Sequence, residues 1–143
     1  MKINRHILRG YDIRGEVDKD INAEIVEHFG RAYGTYVIKK LGPQKVIVGY
    51  DCRLTSEEYK TAFIKGLNST GLDVIDIGLV LVGHVYWSQY HFKTPAAAMI
   101  TASHNPKEFN GMKMSNNYSE AMIKEELNEL TDIVESEEYI KSD

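Results

Sequence analysis

The chain has 143 residues, the length of one compact domain, and its apolar fraction of 43% is sufficient for a core. Its formal net charge of -4 comes without a basic cluster, which argues against a general nucleic-acid binder. Its single cysteine, Cys52, excludes an internal disulfide and favours a reducing compartment. Because we find neither a bilayer-length apolar run nor the apolar core of a signal peptide, we expect a cytoplasmic protein with no membrane or nucleic-acid partner.

Helix and strand signals alternate along the chain. The predicted elements, in chain order, are a helix from Asn22 to about Lys40, a strand over Lys45–Tyr50, a helix from Thr55 to near Gly71, a strand over Asp73–Leu79, a helix over Val82–His91, a strand over Ala96–Thr101, a short antiparallel strand over Met112–Ser115, and a last helix opening at Ser119. Two of the helix starts rest on specific signals. Asn22 is a favoured cap residue, and Thr55 with Glu58 matches a capping box.

Alternation of strands and helices is the βαβ pattern, which requires a mostly parallel sheet covered by helices on both faces. We therefore predict an α/β fold, a three-layer α/β/α sandwich with a mostly parallel mixed sheet. Residues 1–143 are interpreted as one domain. The charged closing stretch, residues 135–143, is interpreted as a helix end or the start of an interdomain segment.

The most informative motif follows the strand at Ala96. It is the polar loop Thr101-Ala102-Ser103-His104-Asn105-Pro106. Ligands of open α/β sheets bind beyond the carboxyl ends of the strands, where a serine could carry a covalent intermediate. Asn105 favours turns and Pro106 fixes a backbone dihedral, so the loop is expected to be stiff. The alternative is an ordinary loop serine bonded to backbone.

Two further residues could act on the same group. Side chains of neighbouring residues usually diverge, so we expect His104 to bond backbone or orient the loop rather than to pair with Ser103. Lys113 follows Asn110-Gly111. It is either a solvated lysine or a point charge for a phosphoryl group.

Two more clusters carry charge, one near the N-terminus and one at the end of a predicted strand. In Arg9–Gly15 (RGYDIRG), Arg14 could fork onto phosphate oxygens, or it could form a structural pair with Asp12 in a bent N-terminal strand. In Gly49–Arg53 (GYDCR), Asp51 and Arg53 could shape the site from the sheet edge. The favoured interpretation is structural, with the two residues pairing or capping the next helix.

These segments together resemble the first domain of the α-D-phosphohexomutases, the phosphomannomutase/phosphoglucomutase family. The resemblance is carried, in family order, by Arg9–Gly15 (RGYDIRG), Val48–Ser56 (VGYDCRLTS), Asp76–Gly78 and Thr101–Lys113 (TASHNPKEFNGMK). The long serine motif is highly specific. The Phe109–Gly111 step favours the phosphomannomutase/phosphoglucomutase branch over the phosphoglucosamine branch.

The resemblance implies a role for each matching residue. Ser103 would be the phosphoserine that exchanges a phosphoryl group with a sugar phosphate, through a hexose 1,6-bisphosphate. A phosphoryl oxygen on Ser103 would also bind Mg²⁺. His104 and Lys113 would assist catalysis, and Arg14 would lie near the phosphoryl group. The residues implied for binding phosphate are Tyr11, Arg14, Asn105 and Lys113.

The sequence also departs from the family. Its members have four domains, and the remaining metal ligands, the sugar-reading loop and the distal phosphate clamp belong to domains II–IV. We therefore expect the isolated chain to be inactive without those domains as partners. The Thr-Pro usual after the second strand is replaced by Val82-Gly83.

Two other functions compete with a mutase domain. One is a non-catalytic domain that retains the fold and binds phosphate or a partner protein through exposed apolar surface. The other is a serine hydrolase, which ranks last because the sequence lacks a Gly-x-Ser-x-Gly elbow and an evident acid partner.

Overall fold

The computed structural model describes residues 1–142. The elements are β1 (Ile13–Glu16), α1 (Ala23–Leu41), β2 (Val46–Tyr50), α2 (Ser56–Asn68), β3 (Val74–Leu79), α3 (Val82–His91), β4 (Ala96–Ile100), β5 (Phe109–Asn116), β6 (Glu120–Ala121) and α4 (Lys124–Ser136), preceded by a 3₁₀ turn over Arg5–Ile7. The predicted α1, β2, β3, α3 and β4 are confirmed at both ends to within one residue. None of the helices in residues 1–142 has the length and hydropathy of a membrane-spanning segment.

The six strands form one mixed sheet in the order β1-β5-β4-β2-β3, with β6 paired to β5. β2 is parallel to β3 and to β4. β5 is antiparallel to each of its partners, β1, β4 and β6. Among the described strands β5 alone therefore runs against the rest, so the sheet is mixed and mostly parallel, as predicted. The loop 101–108 is too short for a crossover, so β5 must return antiparallel to β4.

The extent of β5 and the start of α4 differ from the prediction. β5 is not a short addition over Met112–Ser115 but an inner strand between β1 and β4. Asn117, Tyr118 and Ser119 all have positive φ (47°, 59° and 61°) and close a hairpin to β6. Ser119 therefore does not open the last helix, because hairpin pairing overrides its capping preference.

The predicted capping box at the start of α2 is wrong. Thr55 has helical dihedrals (φ -98°, ψ -1°) and makes no side-chain cap bond. Its Oγ1 instead accepts a hydrogen bond from the Nδ2 of buried Asn110, at 2.9 Å. The buried side-chain amide of Asn110 needs a hydrogen-bond partner. The Thr55 hydroxyl serves as that partner and does not cap the first turn of α2. The cap at Asn22 is confirmed, since its side chain accepts from Ile25 N at 2.9 Å.

The two faces of the sheet support separate apolar cores. Val46, Val48, Ala96 and Ala98 belong to the larger core, which also holds buried residues of α1, α2 and α4. The intervening Ile47, Ala97 and Met99 pack with Val85 of α3 on the other face. The alternation follows from the two-residue period of a strand. It confirms the three-layer α/β/α sandwich.

Candidate active site

The site lies at the carboxyl edge of the parallel strands, where loops follow β2 and β4. Asp51 N donates to Ile100 O at 3.1 Å, so the two strands stay paired up to the point where both chains leave the sheet. Residues 101–108, called the Ser103 loop below, follow β4. Since the carboxyl ends of parallel strands meet at one edge, the loop comes directly beside the Asp51–Arg53 turn.

Ser103 occupies an exposed position with a left-handed backbone (φ 54°). Its N–H donates to Thr101 Oγ1 at 2.9 Å, which closes a tight local turn. Ser103 Oγ lies 3.2 Å from His104 Nδ1. The expectation that these neighbouring side chains diverge is therefore wrong. A positive φ at Ser103 removes the alternation of an extended chain and lets the two side chains meet.

Arg14 links the N-terminal motif to the Ser103 loop. Its Nη2 pairs with Asp12 Oδ2 at 2.8 Å, and its Nε donates to the same oxygen at 2.9 Å. Its Nη1 donates to Asn105 Oδ1 at 2.9 Å. The structural Arg-Asp pair therefore forms, and the same guanidinium also reaches the loop. Asp12, which is 4% exposed, fixes the direction of Arg14.

Lys113 and Tyr11 are less closely tied to the loop. Lys113 lies opposite Met99 in the β4–β5 register, and Arg14 lies opposite Gly111. Because residues two apart in a strand share a face, Lys113 and Arg14 are on the same face of the sheet, the face that α3 partly covers. Within residues 1–142 the Lys113 ammonium forms no hydrogen bond or ion pair, and Tyr11 is 62% exposed.

Arg53 is the residue whose role the sequence analysis missed. Its Nη2 donates to Ser103 O at 2.9 Å and to Asn105 O at 2.7 Å. Its Nη1 donates to Pro106 O at 2.7 Å and to Phe109 O at 2.9 Å. The expected pairing with Asp51 is also present, with Nε 3.4 Å from Asp51 Oδ2. The only sequence signal was an arginine just beyond a strand end, which does not predict four carbonyl partners on another loop.

A second set of polar contacts supports the turn that carries Arg53. Asp51 Oδ1 accepts from Arg53 N at 3.1 Å and from Ser56 Oγ at 2.6 Å. Asn110, at the start of β5, donates to Ser56 Oγ at 3.0 Å. The turn after β2, the start of α2 and the start of β5 are thus joined through side chains. Buried polar networks of this kind hold their members in one arrangement when every group is paired.

An open depression of about 500 Å³ lies beside the loop and is lined by Asp51, Cys52, Arg53, Leu54, Ser103, Asn105 and Lys107. A larger one, about 840 Å³, lies over Leu81–His84 and Trp87. Its lining has one titratable side chain, His84, and is otherwise apolar. The smaller depression is lined by Ser103 together with the cations Arg53 and Lys107 and the amide of Asn105, groups suited to chemistry on an anion, so it marks the candidate site.

The described residues do not by themselves build a metal site. In residues 1–142 no group of three or more His, Cys, Asp or Glu side chains is arranged to hold an ion. Asp51 and Asp12, whose side chains adjoin the loop's two arginines, are already paired with Arg53 and Arg14. A phosphoryl group on Ser103 would add a hard oxygen donor of the kind that Mg²⁺ prefers. Any other protein ligand would have to come from outside these residues.

The amino-acid sequence of the chain is similar to those of known sugar-phosphate mutases. Residues 5–141 match the family model described as phosphoglucomutase/phosphomannomutase, alpha/beta/alpha domain I. A phosphomannomutase of Escherichia coli is 44% identical over 106 residues, which is 74% of this chain and 22% of that protein. A phosphoglucomutase/phosphomannomutase of Thermococcus kodakarensis is 42% identical over 106 residues, 73% of this chain and 23% of that protein.

A solved structure shows the same fold. The phosphoglucomutase/phosphomannomutase family protein from Burkholderia thailandensis superposes with a TM-score of 0.90 at 28% identity, covering 99% of this chain and 32% of that one. The chain belongs to the phosphoglucomutase/phosphomannomutase family, as its α/β/α domain I. It spans less than a quarter of the length of the Escherichia coli relative.

Proposed function

We propose that this chain is the phosphoserine-bearing first domain of a mutase that interconverts hexose 1-phosphate and hexose 6-phosphate, with Ser103 Oγ as the phosphoryl carrier. The observation that carries the proposal is the exposed Ser103 hydroxyl, 3.2 Å from His104 Nδ1, on a loop that Arg14 and Arg53 both hold. The relatives are a phosphomannomutase and a phosphoglucomutase/phosphomannomutase, which supports the same reaction class.

The transfer itself needs few chemical groups. The Ser103 Oγ–P bond breaks while a bond forms between phosphorus and a free hydroxyl of the sugar phosphate. The hydroxyl loses its proton and Ser103 Oγ gains one; the 3.2 Å distance between Ser103 Oγ and His104 Nδ1 supports His104 as the group that would carry this proton. The product is a hexose 1,6-bisphosphate, which returns its other phosphoryl group to Ser103 by the reverse steps. Such transfers depend mainly on positioning and charge neutralisation.

Charge neutralisation falls to the cations around the loop. A phosphoserine carries about -1.5 to -2 charge near neutral pH. Arg14 reaches the loop at Asn105, and Lys113, on the same face of the sheet, has no partner within residues 1–142. These two, with Asn105 and Tyr11, form the proposed phosphate-binding set. A phosphoryl oxygen on Ser103 would supply one ligand to Mg²⁺, whose charge would lower the repulsion between the two phosphates.

The proposed activity belongs to a longer polypeptide, because the relatives carry chain beyond the matched part. We propose that domains II–IV of such a protein complete the cleft and that this chain alone does not turn over. A cytoplasmic setting is part of the proposal, since the exposed Cys52 thiol is compatible with a reducing compartment.

The experiment mixes the chain with domains II–IV of a relative and assays mannose 1-phosphate and glucose 1-phosphate turnover. Mass spectrometry maps any added phosphate. We expect phosphate on Ser103, and we expect Ser103→Ala to lower kcat by about 10⁴-fold or more, as for lost nucleophiles. Ser136→Ala, an exposed serine at the end of α4, is the control. Full activity after Ser103→Ala, or a well-folded but inactive mixture, would contradict the proposal.

The alternative, a partner-binding domain without catalysis, is favoured by one observation. Leu81, Trp87, Tyr90 and Phe92 are between 46% and 73% exposed, along or beside α3. Size-exclusion chromatography and titration calorimetry with sugar phosphates separate the two functions. Self-association without binding of a sugar phosphate would support the alternative.

A further inference from the structure

The guanidinium of Arg53 lies largely buried against the Ser103 loop and uses all four of its terminal N–H donors on peptide carbonyls. The side chain is 13% exposed. Its four acceptors, Ser103 O, Asn105 O, Pro106 O and Phe109 O, are spread along the loop from the serine to the start of β5. Since hydrogen bonds from a charged donor are stronger than neutral ones, these contacts decide which way the peptide planes of the loop face.

The direction of each carbonyl fixes the direction of the next amide. Residues 1–142 contain no cis peptide, and in a planar trans peptide the C=O and the following N–H point in opposite directions. With Ser103 O and Pro106 O turned toward Arg53, the N–H groups of His104 and Lys107 point away from it. Within residues 1–142 neither of these two N–H groups has a hydrogen-bond acceptor.

We propose that Arg53 is a positioning residue for phosphoryl transfer. It draws the electronegative carbonyls of the Ser103 loop inward, so that the loop presents amide N–H groups on its outer side. The role of Arg53 in phosphoryl transfer rests on the proposed function of Ser103, whereas its orientation of the loop carbonyls does not. A loop with outward carbonyls would repel a dianionic group, whereas outward N–H groups attract it.

Contacts with Asp51 hold Arg53 in place while its guanidinium binds the carbonyl groups of the Ser103 loop. Asp51 lies 3.4 Å from Arg53 Nε and also accepts from Arg53 N. Asp51 is itself bonded to Ser56 Oγ at the start of α2. The cation is therefore anchored to the end of β2 and to α2, and the loop is fixed to that anchor.

A lysine cannot replace this arrangement. Lysine keeps the charge and the attraction to Asp51, but it carries its donors on one nitrogen. In Arg53, each of the two Nη atoms donates to two of the four carbonyls. A single lysine ammonium can reach only some of these four. Arg53→Lys therefore tests the two-pronged donor geometry of the guanidinium separately from its positive charge. Arg31→Lys is the matched control, because Arg31 pairs with Glu27 on α1, away from the loop.

The first measurement uses the unmodified 143-residue chain. Nitrogen-detected NMR of arginine side chains shows whether rotation about the guanidinium bonds is restricted. We expect separate, slowly exchanging Nη proton resonances for Arg53. Averaged resonances would overturn the proposal whether or not any variant folds, and whether or not Ser103 is ever phosphorylated.

The second measurement compares the variants. In Arg53→Lys we expect amide exchange at Ser103 and Asn105 to accelerate by about tenfold, the value of one net hydrogen bond, with β2 amides unchanged. Arg31→Lys should leave the loop amides at the wild-type rate. Loop amides of Arg53→Lys that exchange as in the wild type would overturn the proposal.

The third measurement is turnover in the reconstituted mixture. We expect Arg53→Lys to lower kcat by about 100-fold, as for a small misplacement of a reacting group, with KM changed by less than about threefold. Guanidinium ion, but not ammonium, should restore part of kcat to Arg53→Ala. Wild-type kcat in Arg53→Lys would overturn the positioning role. A wild-type chain that takes up no phosphoryl group would refute the function of Ser103 instead, and the two NMR measurements would still decide on Arg53.

Discussion

Gly111 in β5 leaves no room for a side chain against β1, and we expect Gly111→Ala to separate the two strands. A Cβ at this position would overlap Ile13 O and would lie 2.9 Å from Ile13 C and 3.0 Å from Arg14 Cα. These neighbours are backbone atoms of an adjacent strand, so no side-chain rotation relieves the overlap. The strand that carries Arg14 must move, and Arg14 is the residue that contacts Asn105.

The cost can be estimated from two effects. Overpacking in a core costs about 1–3 kcal/mol, and the lost ladder bonds beside Gly111 add about 1 kcal/mol each. We expect a loss of about 3 kcal/mol in the free energy of unfolding. For a chain of this size that corresponds to a fall of about 10 °C in Tm. The measurements are urea titration and calorimetry.

Gly10→Ala is the control for this prediction. A Cβ at Gly10 would meet no atom within 4 Å, and its backbone lies outside the left-handed region. We expect a change within about 0.5 kcal/mol, as for an ordinary surface substitution. A Gly111→Ala variant as stable as the wild type, or no more destabilised than Gly10→Ala, would refute the argument from close approach.

Two further predictions concern helix packing and pH. A Cβ at Gly66 in α2 would overlap Glu27 O and lie 2.8 Å from Arg31 N on α1, whereas one at Gly83 in α3 would meet nothing within 4 Å. Urea titration should therefore show Gly66→Ala destabilised by about 2 kcal/mol and Gly83→Ala stabilised by up to about 1 kcal/mol; equal effects would contradict this. The pKa of Glu27 is lowered, first by its hydrogen bond from Lys65 and then by that from Arg31. Its contribution to stability is then present above the ordinary Glu pKa and lost as pH falls through the lowered value. Glu27→Gln should cost about 1 kcal/mol at pH 7 and progressively less toward pH 3, and a cost independent of pH would be the contrary result.

Local signals in the sequence were sufficient for most elements. The apolar spacing and the cap at Asn22 predicted α1, and the short β-rich runs predicted β2 and β4, because each depends on residues within one turn or one strand. The Ser103 loop was found in the same way, from a polar segment directly after an apolar strand. The family resemblance carried by that motif was confirmed by the match over residues 5–141.

Contacts between distant segments were decided only by the fold. Thr55 has the sequence of a helix cap, but buried Asn110 takes its hydroxyl. Ser119 precedes a helical pattern, but the β5–β6 pairing places it in a hairpin. In both cases a tertiary partner offers a hydrogen bond that competes with the local one, and no sequence window contains both partners.

The sequence by itself determined which loop carries the candidate chemistry, because Ser103, His104 and Asn105 are contiguous and follow a buried strand. Only the tertiary structure decided how that loop is held. Arg53 reaches it from the end of β2 and Arg14 from β1, across a sheet whose strand order is not the order of the chain. The physical reason is that a guanidinium binds whichever carbonyl oxygens the fold brings within about 3 Å, and spacing along the chain does not specify that distance.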